Sequence, residues 1–149
     1  MERILSEVEK IRLKAIIEEQ IPFHCYLGVK VGHLGEGTSS LLVPFREELI
    51  GDSGRQTFHG GVVSMLVATC GAMAVWSRCS IDDRIATVDL RVDYLKPVPA
   101  GDLIARSRAR VTGKSIGSAH TEIVSAAAPE TVLAEGSSVY HIRRHRSGR

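Results

Sequence analysis

The stretch HGGVVSMLVATCGAMAVW, residues 59–76, decides how the rest of the chain is read. His59 and two glycines, Gly60 and Gly61, precede a run whose only polar side chains are Ser64 and Thr69. A helix that is apolar nearly all round is a buried helix. At 1.5 Å per residue, positions 62–76 span roughly 22 Å, short of the ~30 Å hydrocarbon core of a bilayer. The run is therefore expected as a central helix of a water-facing domain, wrapped by sheet. Its first turn opens at the glycines, where backbone N–H groups lack helical partners and the helix dipole is positive.

Working outward, the segments on either side read mostly as strands. Residues 85–95 alternate most clearly, with Ala86, Val88, Leu90, Val92 and Tyr94 expected on one face and Thr87, Asp89, Arg91 and Asp93 on the other. A proline-glycine connection follows at 96–102. Residues 103–112 alternate again, placing Leu103, Ala105, Ala109 and Val111 opposite Ile104, Arg106, Arg108 and Arg110. A glycine-bounded turn at 112–117 leads into strands at 118–127 and 132–142, divided at Pro129 and Glu130. Upstream, residues 26–33 and 38–43 form a hairpin about Gly35, Glu36 and Gly37, ended by Pro44, and 46–58 read as a loop. Residues 2–20 carry Ile4, Val8, Ile11 and Ala15 at helical spacing. Pro22 closes this extra N-terminal helix over 1–22.

The chain of 149 residues is long enough for one domain with a real core. A net charge of +2 gives no global pull toward nucleic acid. The basic residues gather in Arg143, Arg144, His145, Arg146 and Arg149, a tail over 143–149 expected to be solvated and partly disordered. Cys25, Cys70 and Cys79 are odd in number and lack zinc spacing, which fits free thiols in a reducing cytosol. The first ten residues hold no apolar signal region, so a cytoplasmic protein with no membrane partner follows by elimination. His24, His33, His120 and His141 form no ligand pattern, and no metal is expected. Tyr94 and Trp76 read as core or interface aromatics. The order of helix, two strands, buried helix and about four strands in meander gives an α+β class, one curved antiparallel sheet around one helix. The exposed edges of such a sheet invite pairing with a second copy.

His59-Gly60-Gly61 before the apolar helix, TVDLRVDYLKPVPAGD at 87–102, and Val111-Thr112-Gly113-Lys114 together resemble the hotdog-fold thioesterases of the phenylacetate-degradation, PaaI-like, group. The resemblance covers roughly residues 28–142. It implies a hotdog fold, a homodimer or a dimer of dimers, and hydrolysis of a small or aromatic acyl-CoA at a subunit interface, with coenzyme A as part of the substrate and no further cofactor. In the family, the N–H at the position of Gly61 receives the thioester oxygen, Gly60 shapes the turn and His59 supports the loop. Such a donor is typically worth ~3–4 kcal/mol.

The resemblance also shows a departure. The family's catalytic carboxylate lies nine residues after the histidine, where this chain has Ala68, and an asparagine six residues before it is here Ser53. The family's serine or threonine in the strand after the helix is kept as Thr87. Asp52 is the first candidate to supply the missing base. Cys70, a thiol in an apolar helix, is expected to be inert. Lys96, Thr112, Gly113 and Lys114, with Arg106, Arg108 and Arg110 nearby, correspond to segments that in the family contact the CoA phosphates. Three readings stay open: an acyl-CoA thioesterase, an acyl-CoA-binding protein that is weak or inactive because it lost the base, and, ranked lowest, a hotdog hydratase using His59.

Overall fold

The computed structural model describes residues 3–148; Glu2, where the first helix was expected to begin, and Arg149 of the basic tail lie outside them. Helix α1, Glu7–Ala15, starts at a reciprocal cap. Ser6 Oγ accepts from the Glu9 amide, and the Glu9 carboxylate accepts from the Ser6 amide. A π-helical turn, Ile16–Gln20, extends it. Pro22 then stops one helix and starts another. It holds Ile21 in extended backbone and opens α2, Pro22–Leu27, where its missing N–H costs nothing. Tyr26 and Leu27, expected in a strand, are therefore helical, and β1 begins only at Lys30.

The strands are β1 (Lys30–Gly35), β2 (Thr38–Val43), a short hairpin of β3 (Ile50–Asp52) and β4 (Thr57–Phe58) within the expected loop, β5 (Arg84–Tyr94), β6 (Leu103–Thr112), β7 (Ile116–Ser125) and β8 (Ala128–Arg143). Helix α3, Gly60–Trp76, is the predicted central helix. Six strands form one antiparallel sheet in the order β1-β2-β6-β7-β8-β5. The expected four-strand meander is corrected here. Strand β5 does not neighbour β6 but lies at the far edge against β8. The connection after β5 passes the ends of β8 and β7 instead. Leu95 and Lys96 donate to the Leu133 carbonyl, and the Ala126 amide donates to Asp102 O. The β7–β8 turn is at Ala126 and Ala127 rather than at Pro129 and Glu130. Between the pairs Val124↔Val132 and Ser125↔Ala128 the register shifts, so Pro129 occupies an irregular stretch where no ladder N–H is needed.

Helix α3 lies in the concave face of this sheet. Val63, Leu66, Val67, Cys70, Met73, Ala74 and Val75 are fully buried, each larger side chain contributing about 1.5–3 kcal/mol. Leu5, Leu13, Ile17 and Leu27 of the N-terminal segment join the same core. The hotdog thioesterase fold predicted from the sequence is the one observed, with the extra N-terminal helix packed on it.

Two bulges change which side chains face the helix. In β5 the register shifts between Thr87 and Asp89. Ile85 and Thr87 pair with the buried Ile142 and Tyr140, while beyond the bulge Leu90, Val92 and Tyr94 pair with Ser138, Gly136 and Ala134. The helix-facing set is thus Ile85, Thr87, Leu90, Val92 and Tyr94. Ala86 and Val88, expected among them, are exposed. A similar shift between Ala109 and Val111 turns Val111 to solvent. One extra residue in a strand reverses the alternation beyond it. No helix among the described residues is long and apolar enough to cross a membrane.

Candidate active site at the start of the central helix

The chain enters α3 through His59, whose backbone is extended and whose amide donates to Leu49 O at 2.9 Å. The imidazole folds back over the first turn, and Gly61 N donates to His59 Nδ1 at 2.9 Å. Accepting there places the proton of a neutral ring on Nε2. The same peptide unit is held from its other side, because Tyr94 Oη donates to Gly60 O at 2.8 Å. At both glycines a side chain would force a neighbouring side chain to move. A Cβ on Gly60 would stand 3.2 Å from Tyr94 Oη, and one on Gly61 would stand 2.9 Å from His59 Nδ1.

Helix α3 runs along the inward face of β5. Gly60 meets Tyr94 at one end, and Ala72, Val75 and Trp76 cluster with Ile85 at the other. Gly60, Ser64, Ala68 and Ala72 recur every four residues, forming one stripe of the helix, and each is only half-buried. Facing them on β5 are the exposed Thr87 and Tyr94 and the half-buried Leu90 and Val92. The structure thus sets His59, Gly60 and Gly61 at the start of a partly exposed helix stripe that continues through Ala68, with Thr87 on the inward face of β5 toward its far end. The β5 bulge is what turns Thr87 inward, the kind of re-aiming for which bulges serve. Tyr94 is the member the sequence reading missed. Its signals were its place in step with Leu90 and Val92 and its position in the 87–102 stretch that carries the resemblance, neither of which points to Gly60.

The stripe carries no carboxylate. Beneath it, Ala68 O accepts from Tyr140 Oη at 2.6 Å. Asp52 ends β3 and Ser53 opens the β3–β4 turn, in a hairpin that abuts the helix start; a Cβ on Gly51 would lie 2.7 Å from His59 Cα. The Asp52 carboxylate is engaged in its own turn, with Oδ1 accepting from the Gly54 and Arg55 amides at 3.0 and 3.2 Å and Oδ2 lying 3.9 Å from Arg55 Nε. The Ser53 carbonyl accepts from Gln56 Nε2. Burial pushes the Cys70 thiol up to about 11, so it is protonated at neutral pH. On the outer side of α3, Thr69 Oγ1 lies 3.5 Å from Nε2 of the buried His24, whose Nδ1 is 2.9 Å from Ile17 O.

The candidate phosphate-contacting residues do not come together in one chain. Lys96 lies just past Tyr94, near the helix start. Thr112, Gly113 and Lys114 lie at the opposite end of the sheet, where the following β7 passes Val75; a Cβ on Gly117 would stand 2.6 Å from Val75 Cγ1. There an open groove of ≈ 970 Å³ is lined by Arg84, Lys114, His141, Arg143, Arg144 and Arg146 among others. The tail expected to be loose is anchored at this groove. Arg144 donates to Asp83 and to the Gly113 and Lys114 carbonyls, and the His145 amide donates to Asp83 Oδ1. Arg106, Arg108 and Arg110 line a separate groove with His120 and Glu122 on the outer face of the sheet, away from α3. Among the described residues no group of three or more His, Cys, Asp or Glu could hold a metal ion.

The comparisons with known proteins agree with this geometry. A profile of the thioesterase superfamily matches residues 56–135, from the β3–β4 turn to β8. VNG_1336C of Halobacterium salinarum is 32% identical over 140 residues, covering 87% of this chain and 92% of that one. The medium/long-chain acyl-CoA thioesterase YigI of Salmonella typhimurium is 24% identical over 137 residues, covering 83% and 88%. The Escherichia coli PaaI protein from the phenylacetic acid degradation operon shares the fold with a TM-score of 0.78 at 23% identity, over 93% and 95% of the two chains. With the helix start, the wrapped sheet and the sequence match in agreement, the chain belongs to the thioesterase superfamily.

Proposed function

We propose that the protein is a cytoplasmic acyl-CoA thioesterase that takes a small or aromatic acyl group, with Gly61 N–H as the donor to the thioester oxygen. The observation that carries this reading is the Gly60–Gly61 peptide, held at the start of a buried helix with Gly61 itself exposed. Water attacks the carbonyl carbon, negative charge gathers on its oxygen, and collapse expels the CoA thiol. A fixed N–H at a helix N-terminus stabilises that charge without reorganising. In the free protein His59 Nδ1 occupies this N–H; the substrate oxygen takes its place. The similarity to YigI supports a CoA thioester and makes a longer acyl chain the alternative within the same reading.

Two copies paired along β5, antiparallel about a two-fold axis, would complete the site. The end of one chain carrying Arg84, Lys114 and Arg143 would then approach the Gly60–Gly61 end of the other, where a cationic groove suits the CoA phosphates. Nucleic acid and membrane are not among the proposed partners.

A second reading is an acyl-CoA-binding protein with little or no turnover, and the stripe without a carboxylate at Ala68 favours it. Thiol release from short, medium, long and aromatic acyl-CoAs separates the two, with native protein run beside Ala68→Asp and Asp52→Ala. Good native turnover that Asp52→Ala abolishes supports the enzyme with Asp52 as its base. A silent native protein that binds acyl-CoA, with activity appearing in Ala68→Asp, supports the binding protein; a restored base is typically worth ~10²–10⁴-fold. Neither binding nor turnover of any acyl-CoA would sink both readings.

A further inference from the structure

We infer that Tyr94 is a positioning residue for the oxyanion donor, acting through the Gly60–Gly61 peptide; this rests on the reading of Gly61 N–H given above. Gly60 C=O and Gly61 N–H belong to one planar peptide unit. Flanked by two glycines, that unit has the softest backbone on both sides, yet the proposed chemistry needs its N–H aimed at one point. The structure holds it by both ends, with Tyr94 Oη on the carbonyl at 2.8 Å and His59 Nδ1 on the amide at 2.9 Å. The imidazole must yield when a substrate oxygen arrives. The phenol need not, because it holds the carbonyl, which points away from the N–H across the peptide.

The phenol is itself well placed to act as a fixed point. Tyr94 ends β5, paired with Ala134, and the next two amides both donate to Leu133 O. Its side chain is 53% exposed, so water was an available partner for the hydroxyl. It instead donates to a helix carbonyl whose ordinary partner is the amide four residues on. A second donor on that carbonyl polarises the peptide and strengthens its N–H as a donor. Gly60 is what permits the approach, since a Cβ there would lie 3.2 Å from Tyr94 Oη and 3.4 Å from the ring.

The test is Tyr94→Phe, which keeps the ring and removes the donor, with Gly60→Ala as a second variant that displaces the phenol from the helix side. In ¹⁵N-labelled protein without ligand, the Gly61 amide signal should move and its exchange with solvent quicken in Tyr94→Phe. With a turned-over acyl-CoA, kcat should fall about three- to tenfold in both variants while KM and the melting temperature hold, a fraction of the ~10²–10³ lost when an oxyanion donor is removed outright. An unmoved Gly61 amide, an unchanged kcat, or a fall in kcat that only tracks lost stability overturns the inference. If no acyl-CoA is hydrolysed by the native protein, the thioesterase reading fails instead, and the Gly61 amide alone decides the role of Tyr94.

Discussion

Gly71 shows how closely single atoms set the central helix against the sheet. A Cβ there would stand 2.4 Å from Tyr140 Oη and 2.6 Å from Ser138 Oγ. The absent side chain is the gap through which Tyr140 reaches Ala68 O at 2.6 Å and Ser138 Oγ at 2.8 Å. Burial raises the Tyr140 hydroxyl above the usual tyrosine range, so it remains a neutral donor at any working pH. Two substitutions should therefore rank in a definite order. Gly71→Ala should cost ~1–3 kcal/mol, because the core has to shift around the new methyl. Tyr140→Phe removes one neutral hydrogen-bond donor and keeps the ring, for ~0.5–1.5 kcal/mol. Urea unfolding of the two variants beside native protein checks the ranking. Tyr140→Phe proving the more damaging would mean that the hydroxyl matters more than the packing. His59 offers the corresponding test at the helix start. His59→Ala should free the Gly61 amide without removing it, so its signal should shift and exchange faster in ligand-free protein, and an unmoved signal would deny that the imidazole holds it.

At the scale of elements, the C-terminal tail is fastened by one buried carboxylate. Burial alone would raise the pKa of Asp83, but the His145 and Ser80 amides and the Arg144 guanidinium outweigh it and hold the carboxyl below the ordinary 3.8. A group lowered on folding adds stability that is complete above its unfolded value and is lost as pH falls through the folded one. Native protein should thus lose stability on acidification below pH 3.8 more steeply than Asp83→Asn, which should be weaker at pH 7 and flatter in acid. Parallel slopes in unfolding curves at pH 3–7 would sink this account. The same scale shows where reading the sequence succeeds. Helix α3 was legible because fifteen nearly unbroken apolar residues leave no other burial, β6 because its alternation is bounded by turns, and β2 because it follows the turn at Gly35, Glu36 and Gly37. The phase of β5 was not, since a bulge is one extra residue and alternation carries no mark of it. The place of β5 at the sheet edge was also hidden, because a connection of this length can reach a neighbouring strand or pass two. The site divides in the same way. His59, Gly60 and Gly61 are contiguous and announce themselves, whereas Tyr94 joins them across 34 positions through a hydroxyl, and only the fold brings the two together.

In the molecule as a whole, the outer edge of β5 is left open. Among the described residues this eleven-residue strand pairs only with β8, and it leaves Val88 62% and Leu95 53% exposed. A long edge with apolar side chains is a surface that proteins cover or blunt. In the proposed dimer a second copy would cover it in a self-complementary way, each β5 matching the other about a two-fold axis. The groove at Lys114 and the helix start at Gly61 lie at opposite ends of one chain, with about 22 Å of helix between them, and the proposed pairing would bring them together across the interface. Val88→Lys, which places like charges near the axis, should therefore convert a dimeric or tetrameric native protein to monomer in light scattering. Because Val88 itself faces away from α3, the fold should persist, with an unchanged circular dichroism spectrum. Turnover should fall with assembly, chiefly through a raised KM, as the phosphate-holding end is lost. A monomeric Val88→Lys protein that hydrolyses acyl-CoA as well as the native one would show that each chain carries a whole site, and a native protein that is already monomeric would remove the need for a shared one.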